Sequence, residues 1–103
     1  MSDIEARLAA QGLQATRWGN APGDRYAAHS HDYDKVLVAT DGSITFHLTE
    51  LGRDVELSKG ERLELPARTI HAASVGGAGV SCLEAHLPAG TLAPEPRHVP
   101  RGW

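Results

Sequence analysis

The sequence predicts an all-β single domain, a closed barrel or a jelly roll of short strands with one helix at its N-terminus. Three observations predict it. Short runs rich in Val, Leu, Ile and Thr recur between turn signals from Arg25 onward, the spacing of antiparallel strands in barrels and sandwiches. A helical pattern occurs once, in the first twelve residues. The last sixteen residues, 88–103, hold Pro88, Pro94, Pro96 and Pro100. That segment cannot be a central strand, because proline gives no N–H to a ladder.

The 103 residues suffice for one domain with a modest core. Two Trp, two Tyr and one Phe leave that core to aliphatic side chains. A net charge of -3, with acids and bases interspersed, argues against a nucleic-acid partner. The lone Cys82 excludes an internal disulfide, in keeping with a reducing cytosol. No apolar run approaches the roughly 20 residues of a membrane span. Asp3, Glu5 and Arg7 stand where a signal peptide is apolar. A soluble cytoplasmic protein is expected.

Ser2 and Glu5 form a capping box, Ile4 and Leu8 lie one helical turn apart, and Gly12 supplies a C-cap. Residues 3–11 therefore read as a short amphipathic helix that must dock to persist. Leu13–Trp18 can extend as a strand, and Gly19-Asn20-Ala21-Pro22-Gly23 is turn chemistry throughout. Lys35–Thr40 and Ile44–Thr49 flank Asp41-Gly42, a two-residue hairpin signal. Asp54–Ser58 follows a Leu51-Gly52 turn, and Lys59-Gly60 separates it from Arg62–Leu65. Ile70–Val75 and Val80–Leu87 flank Gly76-Gly77-Ala78-Gly79. The count comes to about eight strands. Residues 88–103 read as an extended arm, draped over the barrel or packed on a partner subunit.

Chemistry concentrates between Gly23 and Gly42. His29 and His31 lie two residues apart, and on a strand such positions share a face. Two imidazoles then aim at one point, as a metal ion requires. His71 lies forty residues beyond His31. Of Arg25 and Tyr26, one should face the cavity, and parity favours Arg25. Tyr33 shares parity with the histidines, as a ligand contact or a mouth-lining residue. Asp32 and Asp34 read as turn and surface acids, His47 as a solvated surface residue and His98 as exposed. Cys82 reads as a small buried hydrophobe. Arg68 is expected to cap the loop before His71 or to meet an anionic ligand at the mouth, and Trp18 and Trp103 to dock the terminal segments.

The pattern Gly23-x5-His29-x-His31-x3-Lys35-x6-Gly42 resembles the first motif of the cupins, G-x5-H-x-H-x(3,4)-E-x6-G. Gly60-x5-Pro66-x-Arg68-x2-His71 resembles their second, G-x5-P-x-G-x2-H-x3-N. With the loop between them the motifs span residues 23–75. The resemblance implies a cupin double-stranded β-helix with a pocket at one mouth. It also implies His29, His31 and His71 as ligands of one divalent transition metal, and a homodimer. Three imidazoles do not choose among Zn, Fe, Mn and Ni.

Three positions depart from the family pattern. Lys35 replaces the usual Glu ligand, Arg68 the turn glycine, and Val75 a common Asn. An ammonium cannot ligate, and beside a metal it raises the cost of both charges. Three outcomes follow: a three-histidine site with water in its open positions, as in the thiol-dioxygenase branch; recruitment of another carboxylate; or an empty, degenerate site.

Glu84 is the candidate carboxylate. Alternation puts Cys82, Glu84 and His86 on one face of their strand and Leu83, Ala85 and Leu87 on the other. Either the leucines form the core and Glu84 and His86 are wet, or Glu84 and His86 face the pocket and the leucines lie under a helix or second subunit. In the latter case Glu84 and Lys35 pair beside the metal as an acid–base couple. The expected function is that of a metal-dependent enzyme on a small polar substrate, a sugar acid or a thiol. A non-enzymatic, even metal-free, ligand-binding or sensing barrel is the alternative.

Overall fold

A computed structural model describes residues 3–103; Ser2 of the expected capping box lies outside them. One helix, α1 (Asp3–Ala10), precedes seven strands: β1 (Thr16–Asn20), β2 (Arg25–His29), β3 (Asp34–Leu48), β4 (Arg53–Ser58), β5 (Arg62–Leu65), β6 (His71–Leu87) and β7 (Arg97–Val99). All pairings are antiparallel.

Strands β3 and β6 are long enough to serve two sheets. The first half of β3 pairs with β5 and with the second half of β6, which in turn pairs with β1. The second half of β3 pairs with β4 and with the first half of β6, which pairs with β2. The result is a two-layer jelly roll, β1-β6-β3-β5-β7 facing β2-β6-β3-β4.

This corrects two sequence expectations and lowers the strand count from about eight to seven. Asp41-Gly42 does not close a hairpin, and Gly76-Gly77-Ala78-Gly79 does not end a strand. Both lie inside continuous strands, and the β3–β6 register shifts between Ala39 and Asp41 and again between Gly42 and Ile44. Bulges bend a strand and increase its local twist, so these residues carry the chain from one sheet to the other. Gly42 has a φ of 67°, and a Cβ there would lie 2.0 Å from the Gly79 carbonyl oxygen. Only glycine fits such an approach.

Between the sheets lies the larger apolar cluster, with Leu37, Ile44, Phe46, Leu57, Leu63, Val75 and Cys82. Cys82 is buried there, as expected. The opposite face of β3 and β6 supplies Val36, Val38, Leu83 and Ala85 to a second cluster, which Leu8 and Ile4 of α1, Leu13, Leu92 and Trp103 cover. Strand β3 therefore begins as an almost continuous apolar run, because both faces of its first half are buried.

The chain after α1 leaves through Gly12, whose φ of 77° and the Leu13 N–H to Leu8 carbonyl bond at 2.9 Å form a Schellman-type cap. The proline-rich arm is draped over its own barrel. Its residues Arg97–Val99 pair with β5 at the sheet edge, and the Trp103 indole donates to the Gly60 carbonyl at 3.0 Å.

Candidate metal centre

Three histidines converge at one barrel mouth. His29 closes β2, His71 opens β6 directly opposite in register, and His31 follows in the loop between β2 and β3. The shared-strand argument for His29 and His31 therefore holds for His29 alone. One ligand nitrogen from each of the three lies within 4.8 Å of the others.

The hydrogen bonds set the tautomers. His71 Nδ1 lies 2.8 Å from the Thr69 carbonyl, and His29 Nδ1 lies 2.7 Å from the Ala27 carbonyl. A carbonyl only accepts, so each Nδ1 carries the proton and each Nε2 presents a lone pair. The Nε2 atoms of His31 and His71 are buried without a protein partner. Such atoms call for an explanation, and a metal ion supplies one. Backbone carbonyls holding Nδ1–H are the usual support of metal-binding histidines, so the donor set fits a divalent transition metal.

Burial and nearby charge disfavour protonation of these two histidines. His71 is 2% exposed; burial, opposed by the Thr69 bond and aided by the Lys35 charge, lowers its pKa to about 4. Burial and Lys35 likewise lower His31.

Lys35 and Glu84 both line the cavity with the histidines. Lys35 is buried, and its Nζ lies 3.6 Å from Glu84 Oε1. The same oxygen accepts from the Trp18 indole at 3.1 Å, and Glu84 Oε2 lies 2.5 Å from His86 Nε2. Burial alone would raise the Glu84 pKa. The His86 bond and the Lys35 charge, with Trp18, outweigh it and lower the net value. Glu84 is thus an ionised carboxylate whose two oxygens are both engaged. His86 itself stands half-exposed at the rim, stacked on Tyr33 at 4.1 Å, and Tyr33 also stacks on His31 at 4.9 Å. Leu83 and Ala85 lie under α1, as the pocket-facing reading of Glu84 requires.

The cavity holds about 260 Å³, and Ile44, Phe46 and Ala73 form its apolar floor. That is smaller than a drug-sized pocket and suits a small metabolite. Tyr26, not Arg25, faces into it. A register shift between Tyr26 and His29 reverses the parity on which the Arg25 expectation rested. Sequence reasoning also missed Trp18 as a site residue, its signal being only that β1 lies beside Glu84 in the fold.

Two further side chains differ from expectation. Asp34 is 1% exposed, not a surface acid. Its Oδ1 accepts from the Ala67 amide at 2.8 Å and its Oδ2 from the Leu92 amide at 2.7 Å. His47 is only partly exposed, with Nδ1 2.9 Å from Asp54 Oδ1 and Nε2 2.8 Å from Ser74 Oγ. That order of groups resembles an acyl-transfer triad. Ser74, however, sits mid-strand with neighbours in register on both sides. Its backbone lies between two paired strands, unlike the exposed turn whose N–H groups form an oxyanion hole.

No family model matches the chain, and no curated protein matches it. Solved structures do. A cupin superfamily protein from Desulfitobacterium hafniense DCB-2 is 20% identical at a TM-score of 0.63, over 74% of this chain and 67% of that one. A chain from crystal structures of the DMSP lyases RdDddP and RnDddQII is 29% identical at a TM-score of 0.67, over 84% of this chain. The match spans only 44% of that chain's length. KdgF from Halomonas sp. is 21% identical at a TM-score of 0.59, over 72% and 68%. No helix among the described residues is long and apolar enough to cross a membrane. Two-sheet topology, both histidine motifs and these structural likenesses agree: the protein is a small cupin-fold protein.

Proposed function

We propose that this protein is a metal-dependent enzyme acting on a small polar substrate, a sugar acid or a thiol, with one divalent transition metal held by His29, His31 and His71. The observation that carries the reading is the pair of buried, unpartnered Nε2 atoms on His31 and His71, beside a His29 whose Nδ1 is likewise occupied. A metal bound there supplies a Lewis acid or an oxygen site, with coordination positions that three protein ligands leave open.

The chain's own residues shape the reaction space. Lys35 brings the cavity's ammonium, and the Glu84 carboxylate lies 3.6 Å from it as the counter-charge. Trp18 fixes the carboxylate plane through Oε1. The apolar floor excludes water from one side of the ligand. A homodimer is part of the same reading, and sedimentation velocity checks it.

One observation favours a second reading, a non-enzymatic ligand-binding barrel. Both Glu84 oxygens are already engaged, and Lys35 occupies the family's fourth-ligand position, so among the described residues no unengaged carboxylate lines the cavity.

Elemental analysis of the purified, untagged protein beside a His29→Ala/His71→Ala double variant tests the site. Near-stoichiometric metal in the parent and its loss in the variant are expected. No metal after reconstitution overturns the reading. Metal without turnover on sugar acids or thiols moves the assignment to ligand binding.

A further inference from the structure

Counting charge around the cavity singles out its ligand. Three imidazoles that ligate a metal through their lone pairs contribute none. Lys35 and Glu84 cancel, and Glu84 cannot be spared, since Trp18 and Lys35 share Oε1 while His86 holds Oε2. A divalent ion at the three histidines therefore keeps its full charge, where the family's Glu would have removed one unit. In a part-buried site an uncompensated charge is costly, and an anionic ligand relieves it.

Lys35 also has donor capacity to spare. An ammonium has three N–H donors, and its contact to Glu84, at 3.6 Å, lies beyond ordinary hydrogen-bond length. Among the described residues lining the cavity, it is the one lysine or arginine. Ile44, Phe46 and Ala73 also line the cavity; they offer an inorganic oxyanion nothing but suit a short hydrocarbon tail.

We propose that the site takes a small organic monocarboxylate, anchored by the Lys35 ammonium, with its apolar tail against Ile44, Phe46 and Ala73. The proposal rests on the three-histidine metal reading and narrows its substrate class to carboxylates, setting aside neutral thiols and uncharged sugars. It makes Lys35 a specificity determinant in the position where the fold's usual chemistry wants a ligand.

Calorimetric titration of the Zn²⁺-loaded protein with butyrate, and with uncharged butyramide, tests it. Visible spectra of the Co²⁺-loaded protein give an independent readout. Butyrate is expected to bind and to perturb the Co²⁺ spectrum, and butyramide to do neither. Lys35→Met should weaken butyrate at least tenfold while metal stays bound, and Lys35→Arg should restore most of the loss. The double variant Lys35→Met/Glu84→Gln keeps the net charge of the wild-type pair; loss of butyrate binding there assigns the effect to the ammonium itself. Thermal melts confirm that each variant folds.

Equal binding of butyrate and butyramide, or butyrate affinity unchanged in the double variant, overturns the proposal. Failure to take up any metal overturns the metal reading instead. In that case the metal-free protein is titrated: Lys35-dependent butyrate binding upholds the carboxylate site, and its absence ends it.

Discussion

Arg68 holds His31 from strained backbone: its amide donates to the His31 carbonyl at 2.7 Å while its own φ is 65°. Two residues earlier and one later, the same short loop works on its surroundings. The Pro66 carbonyl accepts from Thr69, and the Thr69 carbonyl accepts from His71 Nδ1. One turn thus fixes two of the three histidines. Its left-handed residue stands where the family uses glycine, and Arg68 is the only non-glycine with positive φ among the described residues.

A left-handed conformation costs a residue with a Cβ about 1–2 kcal/mol. Glycine removes that strain but gives back about 0.5–1 kcal/mol in unfolded-state entropy. Arg68→Gly is therefore expected to stabilise the protein by about 0.5–1 kcal/mol, a Tm rise of about 2–6 °C in a domain this size. Metal affinity should be unchanged, because the amide that holds His31 remains. A lower Tm in a thermal melt would show that the Arg68 side chain contributes more than its backbone costs.

Asp34 ties the same loop to the arm. Burial pushes its pKa up, yet the amides of Leu92, Ala67, Gly90 and Thr91 overcome that, and the net value lies below the ordinary 3.8. A carboxyl lowered on folding contributes stability that is complete above the unfolded value and lost as pH falls through the folded one. Asp34 should therefore support the fold at neutral pH and release it below about pH 4. Asp34→Asn keeps one acceptor but turns an NH₂ toward an amide donor, so a cost of about 2–3 kcal/mol is expected at pH 7. The variant's deficit should shrink as pH falls through the acid range. A deficit that stays constant down to pH 2 in urea unfolding curves would remove Asp34 from the acid response.

Gly42 offers a sharper contrast. Its φ is 67°, and a Cβ would lie 2.0 Å from the Gly79 carbonyl oxygen, where two strands cross from sheet to sheet. Gly77, in the same corner, has no heavy atom within 4 Å of a Cβ and no positive φ. Gly42→Ala is expected to cost about 3 kcal/mol or more, from overpacking plus strain. Gly77→Ala should stay within about 0.5 kcal/mol of wild type. Equal effects in urea unfolding would contradict the close crossing.

How far the sequence carried this depends on the range of the signal. Gly12 marked its helix end because a C-cap is local chemistry. The histidine motifs picked out three side chains that the fold brings within 4.8 Å of one another, because their spacing survives whatever the strands do. Asp41-Gly42 misled because a dipeptide that favours a hairpin also favours a bulge, and only pairing with β6 decides between them. Asp34 looked like a surface acid because its partners, Ala67 and Leu92, lie 33 and 58 residues away. Tyr26 displaced Arg25 from the cavity because one register shift reverses every parity argument upstream of it. Trp18 carried no signal, since its bond to Glu84 spans 66 residues.

Lys35→Glu isolates the most unusual feature of the centre. In the metal-free protein the introduced carboxylate would sit near Glu84, whose contact with Lys35 is 3.6 Å. Two carboxylates so close resist joint ionisation, so the metal-free variant is expected to melt below wild type at pH 7. With metal the sign reverses: a fourth ligand is restored and a cation removed, so Zn²⁺ affinity should rise about tenfold or more. The increase in Tm on adding Zn²⁺ should accordingly be larger in the variant than in the parent, since a ligand that binds only the folded state stabilises it by mass action. Competition against a chromophoric chelator measures the affinity, and melts with and without Zn²⁺ measure the coupling. Unchanged or weaker affinity would place Lys35 outside reach of the metal.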